Sequence, residues 1–222
     1  MEAGPLQLML NSLWPIFVAG LERTVPLAVV TFILGMALAV LTALARLSKL
    51  GWLRGIAWFY VWVFRGTPLL VQLFIIFYGL PYLGLTLGNW TSAIIGFTLN
   101  VGAYASETIR ASILSVPKGQ WEAAYSLGMN GGQALRRIII PQATRVSVPP
   151  LANEFIGLVK DTSLAAVITV PELFQKAQDI VGSTFKPFPV YVDAAIVYLA
   201  FCTVLAWLQH KLERRLSRYV VS

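Results

Sequence analysis

The chain has 222 residues, of which 57% are hydrophobic and only 12% charged, about half the charged fraction of a soluble domain. Its net charge is +7, but the basic residues cluster beside long apolar runs and form no soluble basic face, which excludes nucleic-acid binding and makes them topology signals. Cys202 is the one cysteine and His210 the one histidine, so neither a disulfide framework nor a metal-ligand constellation is available within the chain.

The opening segment MEAGPLQLMLNSLWP holds Glu2 and no lysine or arginine. The basic n-region of a signal peptide is therefore missing, and the first span is expected to stay in the mature protein. A helix needs about 20 residues to cross the hydrocarbon core. Residues 24–45 carry no charge and predict a first span. Residues 56–80 predict a second, interrupted by Arg65-Gly66-Thr67-Pro68, and residues 91–113 a third, with Glu107 and Arg110 towards its end. Residues 150–170 form a weaker fourth that holds Asn153, Glu154, Lys160 and Asp161, and residues 188–208 a fifth with Asp193 near its start. Pro81, Pro171, Pro187 and Pro189 sit at span ends, where a lost backbone donor matters least. The pattern predicts an all-α integral membrane protein, a single domain over residues 1–222 with about five transmembrane helices.

Orientation follows from the basic residues. Arg46, Lys49 and Arg54 follow span one, Lys118, Arg136, Arg137 and Arg145 follow span three, and Lys211, Arg214, Arg215 and Arg218 follow span five. The opposite side has only Arg23, Lys176 and Lys186. The positive-inside rule then puts the amino terminus outside and the carboxyl terminus in the cytoplasm. Trp52, Trp58, Trp90 and Trp207 fall near span ends, as interfacial anchors or as lipid-facing bulk.

The connection over residues 115–146 is too long and too patterned for a tether. A short helix is predicted over residues 119–127, with Glu122 in its opening turn where a negative charge complements the helix dipole. Gly128 follows as a candidate cap, since glycine takes a left-handed conformation cheaply. A second helix is expected to begin after Asn130-Gly131-Gly132 and to end before Pro141. The small Ala123 and Ala124 let another backbone approach. These features describe a rigid cytoplasmic elbow suited to docking a protein.

The same segment carries a resemblance. Glu122-Ala123-Ala124, three residues, Gly128, nine residues, Ile138, one residue and Ile140-Pro141 resemble the EAA loop of ABC importer permeases, with Ile140 where that loop has leucine. Arg65-Gly66-Thr67-Pro68-Leu69-Leu70-Val71-Gln72 resembles the second-span motif of polar amino-acid permeases of the histidine and glutamine type. Asn153-Glu154-Phe155 and Lys160-Asp161-Thr162-Ser163-Leu164 resemble that family's fourth-span signature, so the likeness runs from Arg65 to about Pro171.

The resemblance implies a type I ABC importer permease of the bacterial inner membrane, with a periplasmic amino terminus. Its implied partners are a second permease copy, two cytoplasmic ATPase subunits docked on the elbow, and a periplasmic amino-acid-binding protein. A homodimer is the expected pairing, with a permease of different sequence open. The implied cargo is a polar amino acid, cystine first, with glutamine, histidine and arginine open. The chain contains no G-x-x-x-x-G-K-[ST] phosphate loop, so ATP and its Mg belong to the partner ATPase and this chain is neither an enzyme nor a cofactor carrier. The implied mechanism is alternating access. An ion-coupled secondary transporter is the rival reading, and it leaves the EAA segment unexplained. A membrane-embedded enzyme would need a nucleophile–base pair that the chain lacks.

Charges inside spans need an account, because one at a helix centre costs about 2.5–3.5 kcal/mol on insertion scales. Positions seven apart on a helix lie within about 20° of each other, so Glu154 and Asp161 share one stripe and Asn153 and Lys160 the next. Such stripes complement the carboxylate and ammonium of a free amino acid, or form a structural ion pair with Lys160 or Arg65. Thr67, Gln72, Asn100 and Ser163 complete the pathway candidates, and each is equally able to join helices by hydrogen bonds. Glu107 and Arg110 are expected to pair at i,i+3, and Asp193, near the outer surface, to be a solvated helix end or else to face an incoming ligand.

Overall fold

The computed structural model describes residues 5–217, so Glu2 and Arg218 lie outside the described residues. Its elements are all helical, with no strand among the described residues, as the apolar runs predict. α1 (Pro5–Ala19), a π-helical turn (Gly20–Thr24) and α2 (Val25–Leu47) join into one 42-residue rod from Leu6 to Leu47. The charge-free stretch is thus the second half of a longer helix. Pro26 is accommodated because it falls in the first turn of α2, just after the widened turn.

α3 (Gly51–Gly66) and α4 (Leu69–Phe74) follow, and a π turn (Ile75–Gly79) and a 3-10 turn (Leu80–Leu83) extend α4. The two halves are bent by 106° at Thr67-Pro68, so the interruption in the second span is a true break. α5 (Asn89–Leu114) is the central helix. Phe97, Val101 and Ala105 of α5 close the main core against Leu27, Ala28 and Ala39 of α2 and Leu158 further along the chain.

Close approach of α2 and α5 requires Gly35. A Cβ there would lie 2.6 Å from Val101 Cγ1 and 2.7 Å from Val101 Cβ. Small residues at such crossings let the dispersion contacts form that hold membrane helices together. Gly35→Val is therefore expected to cost about 1–3 kcal/mol by overpacking and to lower the thermal unfolding midpoint in detergent. Gly182→Ala, where the added carbon meets nothing within 4 Å, should not lower it.

The elbow comprises α6 (Lys118–Ser126), α7 (Gly131–Ala134) and a π turn (Leu135–Ile139), and it runs without interruption into α8 (Ile140–Asp161). This overturns the expected helix end before Pro141. Pro141 occupies the first turn of α8 directly after the π turn, where a missing N–H and a bulky ring are tolerated. A 3-10 segment (Thr162–Ile168) ends this part of the chain.

α9 (Leu173–Thr184) and α10 (Pro187–Ser217) pack with α1 in a second core containing Ile16, Leu173, Val190 and Val197. Glu172 is fully buried at this seam and accepts hydrogen bonds from Thr24 Oγ1 (3.2 Å), Tyr198 Oη (3.0 Å) and the Gln175 amide (2.8 Å). Burial pushes its carboxyl above the usual carboxylate range, and these donors pull it back. Asp193, expected as a solvated helix end, is instead 2% exposed and accepts a 2.5 Å hydrogen bond from Ser12 Oγ, so it ties α10 to α1.

Leu6–Leu47 and Pro187–Arg215 are long and apolar enough to cross a membrane, and the bent pair makes a third if it is one span. α5 and α8 have 26 and 22 residues, about 39 and 33 Å of rise. They are long enough to cross, and they carry the polar residues of the site.

Candidate functional site

The break between α3 and α4 is built by Gln72. Its Nε2 donates to the carbonyls of Phe64 (2.9 Å) and Thr67 (3.0 Å), and Thr67 Oγ1 donates back to Val63 O (2.9 Å). These bonds satisfy carbonyls that a helix ending at Gly66 leaves without partners. Asn100 Nδ2 of α5 donates to Gln72 Oε1 at 3.0 Å, which fixes the break against the central helix.

Beside this break lies a cavity of about 310 Å³. Thr67, Pro68 and Leu69 line it from the break, Asn100, Val101 and Tyr104 from α5, and Glu154, Gly157, Leu158 and Asp161 from α8. Asn100 and Tyr104 are four apart, and Glu154, Gly157 and Asp161 follow i,i+3,i+7 spacing, so each helix presents one stripe. Glu154 Oε1 accepts from Thr108 Oγ1 at 2.6 Å, while Oε2 is buried with no partner among the described residues. Asp161 is exposed to the cavity. No ion pair joins either carboxylate to Lys160 or Arg65 among the described residues.

The eight predicted pathway residues therefore divide. Thr67, Asn100, Glu154 and Asp161 meet in one cavity, with Gln72 buried behind them. Lys160 and Ser163 do not line it, and Ser163 Oγ donates to the Lys160 carbonyl at 2.7 Å. Arg65 is exposed beside an adjoining groove, its guanidinium 5.3 Å from the centroid of Tyr104. In that groove Glu107 accepts from Arg110, as the i,i+3 spacing predicts, and from Arg46 at 2.7 Å. Tyr104 and Thr108 escaped the sequence reading, although they continue the four-residue stripe that starts at Asn100.

At one end of the bundle the elbow is capped twice. Gly128 has φ 75°, its amide bonds to Tyr125 O (2.9 Å), and the Met129 amide bonds to Ala124 O (3.1 Å). This is a Schellman motif, and only a left-handed residue closes it without strain. Asn130 and Gln133 then form a reciprocal capping box at the start of α7. Ala124 is buried, and Ile138 packs with Ile113, Val116 and Ile139 against Leu47 and Trp121. Glu122, Ala123 and Pro141 face outwards, as does Leu127 at 76% exposure. The elbow is thus joined to the ends of α2 and α5 and is continuous with the helix that carries Glu154 and Asp161.

A helical bundle with a carboxylate-lined cavity and a rigid exposed elbow defines the membrane component of a transport machine. The chain belongs to the family of inner membrane components of binding-protein-dependent transport systems, whose pattern it matches over residues 31–218. It is 56% identical over 217 residues to the L-cystine transport system permease protein TcyB of Bacillus subtilis (strain 168), covering 97% of this chain and 93% of that one. It is 44% identical to the probable amino-acid ABC transporter permease protein YckA of the same organism, covering 93% and 92%. Among solved structures, a chain of an amino acid ABC transporter with histidines superposes with TM-score 0.90 at 35% identity, over 97% of this chain and all of that one.

Proposed function

We propose that this chain is the permease subunit of an ABC importer that carries L-cystine, or a closely similar polar amino acid, across the bacterial inner membrane by alternating access. Two copies form the pathway, two cytoplasmic ATPase subunits holding ATP and Mg dock on the elbows, and a periplasmic binding protein delivers the cargo. Each copy crosses five times, with the amino terminus periplasmic and the carboxyl terminus cytoplasmic. The observation that carries this reading is the 56% identity to the L-cystine permease along 97% of the chain, a length that includes both the cavity and the elbow.

The chemistry of the cavity supports the cargo. Glu154 and Asp161 stand one above the other on α8, about 10.5 Å apart in rise, and pair well with a solute that has an ammonium group at each end. Glu154 Oε2, buried without a donor, gains a charge-assisted hydrogen bond when an ammonium enters, and an unpaired buried carboxylate oxygen otherwise costs free energy. Asn100 and the Tyr104 hydroxyl offer neutral partners to the remaining polar atoms. Desolvation of the cargo is limited because Asp161 remains on the open side of the cavity.

Coupling follows from continuity. A push on the outer face of the elbow passes through α7 and the π turn into α8, because the helix from Gly131 to Asp161 has no non-helical residue. Movement of α8 changes the spacing of Glu154 and Asp161 from the α5 stripe, which opens the cavity to one side and then to the other. Pro149 and Pro150 remove two backbone donors between the elbow and Glu154, and proline is where helices bend.

Uptake of labelled L-cystine into proteoliposomes containing the assembled transporter tests this reading. Accumulation is expected only with the ATPase subunits, ATP and the binding protein present. Accumulation driven by a proton or sodium gradient in the chain alone would establish the ion-coupled alternative.

A further inference from the structure

A second site lies on the other side of Arg65 and Tyr104 from the cargo cavity, and its charge is opposite. Two openings of about 400 Å³ each, both lined by Arg46 and Trp58, form one groove between α3 and the ends of α2 and α5. Arg54 and Arg110 complete its outer half, and Arg65 and Trp62 its inner half. Four guanidinium groups thus face one carboxylate, Glu107, which Arg46 and Arg110 already neutralise. The Arg54 side chain is exposed and forms no ion pair or hydrogen bond among the described residues. Gly51 and Gly55 line the outer half, and a Cβ at either would meet nothing within 4 Å, so the groove is open where Arg54 stands.

The groove lies at the elbow end of the bundle, since Leu47 beside Arg46 and Ile109 beside Arg110 pack in the elbow core. α3 leaves α4 at 106° and turns an aromatic face outwards. Trp58 and Trp62 are 52% and 59% exposed, with rings stacked 6.0 Å apart, next to Ile56 and Phe59 at 62% and 58%. Exposed tryptophan beside arginine is the composition of a membrane–water interface. Guanidinium groups bind phosphate through paired charge-assisted hydrogen bonds, and basic pockets between membrane helices bind anionic headgroups.

We propose that this groove binds the headgroup of an anionic phospholipid, with the phosphodiester among Arg46, Arg54 and Arg110 and the glycerol and upper acyl chains against Trp58 and Trp62. A free phosphate would use the guanidinium groups but not the exposed aromatic face. The site is independent of the cargo assignment and of which way the chain faces.

Native mass spectrometry of the full chain in mild detergent, titrated with phosphatidylglycerol and with phosphatidylcholine, tests the assignment. Retention of phosphatidylglycerol over phosphatidylcholine is expected. Arg54→Gln should weaken phosphatidylglycerol by about fivefold, the effect of one basic residue near an anionic lipid surface, and leave phosphatidylcholine unchanged. Arg54→Lys should restore most of the difference. The Arg54 side chain is exposed and has no partner among the described residues, so both variants are expected to fold, which an unchanged thermal midpoint checks. Equal retention of the two lipids, an Arg54→Gln variant that keeps the preference, or displacement of the lipid by excess inorganic phosphate would each overturn the proposal. Self-cross-linking of Trp58→Cys in a Cys202→Ser background would assign the face to a second copy, and would overturn it too.

Discussion

Gly128→Asp is expected to abolish ATP-driven uptake and copurification of the ATPase while the chain remains folded and inserted. Gly128 sits at φ 75°, where an L side chain costs about 1–2 kcal/mol. A carboxylate at the carboxyl end of α6 also opposes the helix dipole, at about 0.3–1 kcal/mol. Both penalties are small beside the stability of a domain, and an added Cβ meets no atom within 4 Å, so the damage stays local. What changes is the path of the chain between α6 and α7, and with it the angle between Glu122-Ala123 and the lever formed by α7 and α8. Gly128→Asn isolates the charge, because asparagine and aspartate take the left-handed region alike and only aspartate is charged. It should retain part of the uptake. A Gly128→Asp variant that copurifies with its ATPase and transports normally would remove the docking role from the elbow.

Glu154→Gln is expected to lower the apparent affinity for cargo by about 10- to 150-fold, the loss of one hydrogen bond to a charged group, with ATPase docking unchanged. The amide keeps the shape of the side chain and an oxygen to accept from Thr108, which lies 2.6 Å from Glu154 Oε1, so packing between α5 and α8 survives. Asp161→Asn should have a smaller effect, because Asp161 is exposed and water screens its interaction with a cation. Binding of labelled cargo to the detergent-purified chain, set beside its thermal midpoint, decides between roles. If Glu154 only joins helices, both the midpoint and the affinity stay unchanged in Glu154→Gln.

Much of the site was readable because it lies in local spacing. The elbow's glycine and its Glu-Ala-Ala run lie within seven residues, and their conformations follow from backbone chemistry that neighbours alone decide, whereas the Asn130–Gln133 capping box that starts α7 two residues early went unread. The shared stripe of Glu154 and Asp161 follows from helical periodicity in the same way. The failures have the opposite character. Asp193 reads as a solvated helix end until Ser12, 181 residues away, donates a hydrogen bond to its buried carboxylate. Lys160 reads as a pathway residue, yet its stripe turns away from the cavity when α8 docks on α5. Thr108 becomes visible only once its hydroxyl is placed against Glu154.

Apolar runs, the placement of lysine and arginine, and the elbow motif together determined a helical membrane protein of a transport family, because each is a property of consecutive residues meeting a bilayer or a helix terminus. Only the tertiary structure decided which polar side chains share a cavity, which way the second span breaks, and that four arginines from three helices converge beside two tryptophans. Those outcomes depend on the rotation of each helix about its axis. Rotation is set by close packing at positions such as Gly35 and Val101, between residues that no local pattern connects.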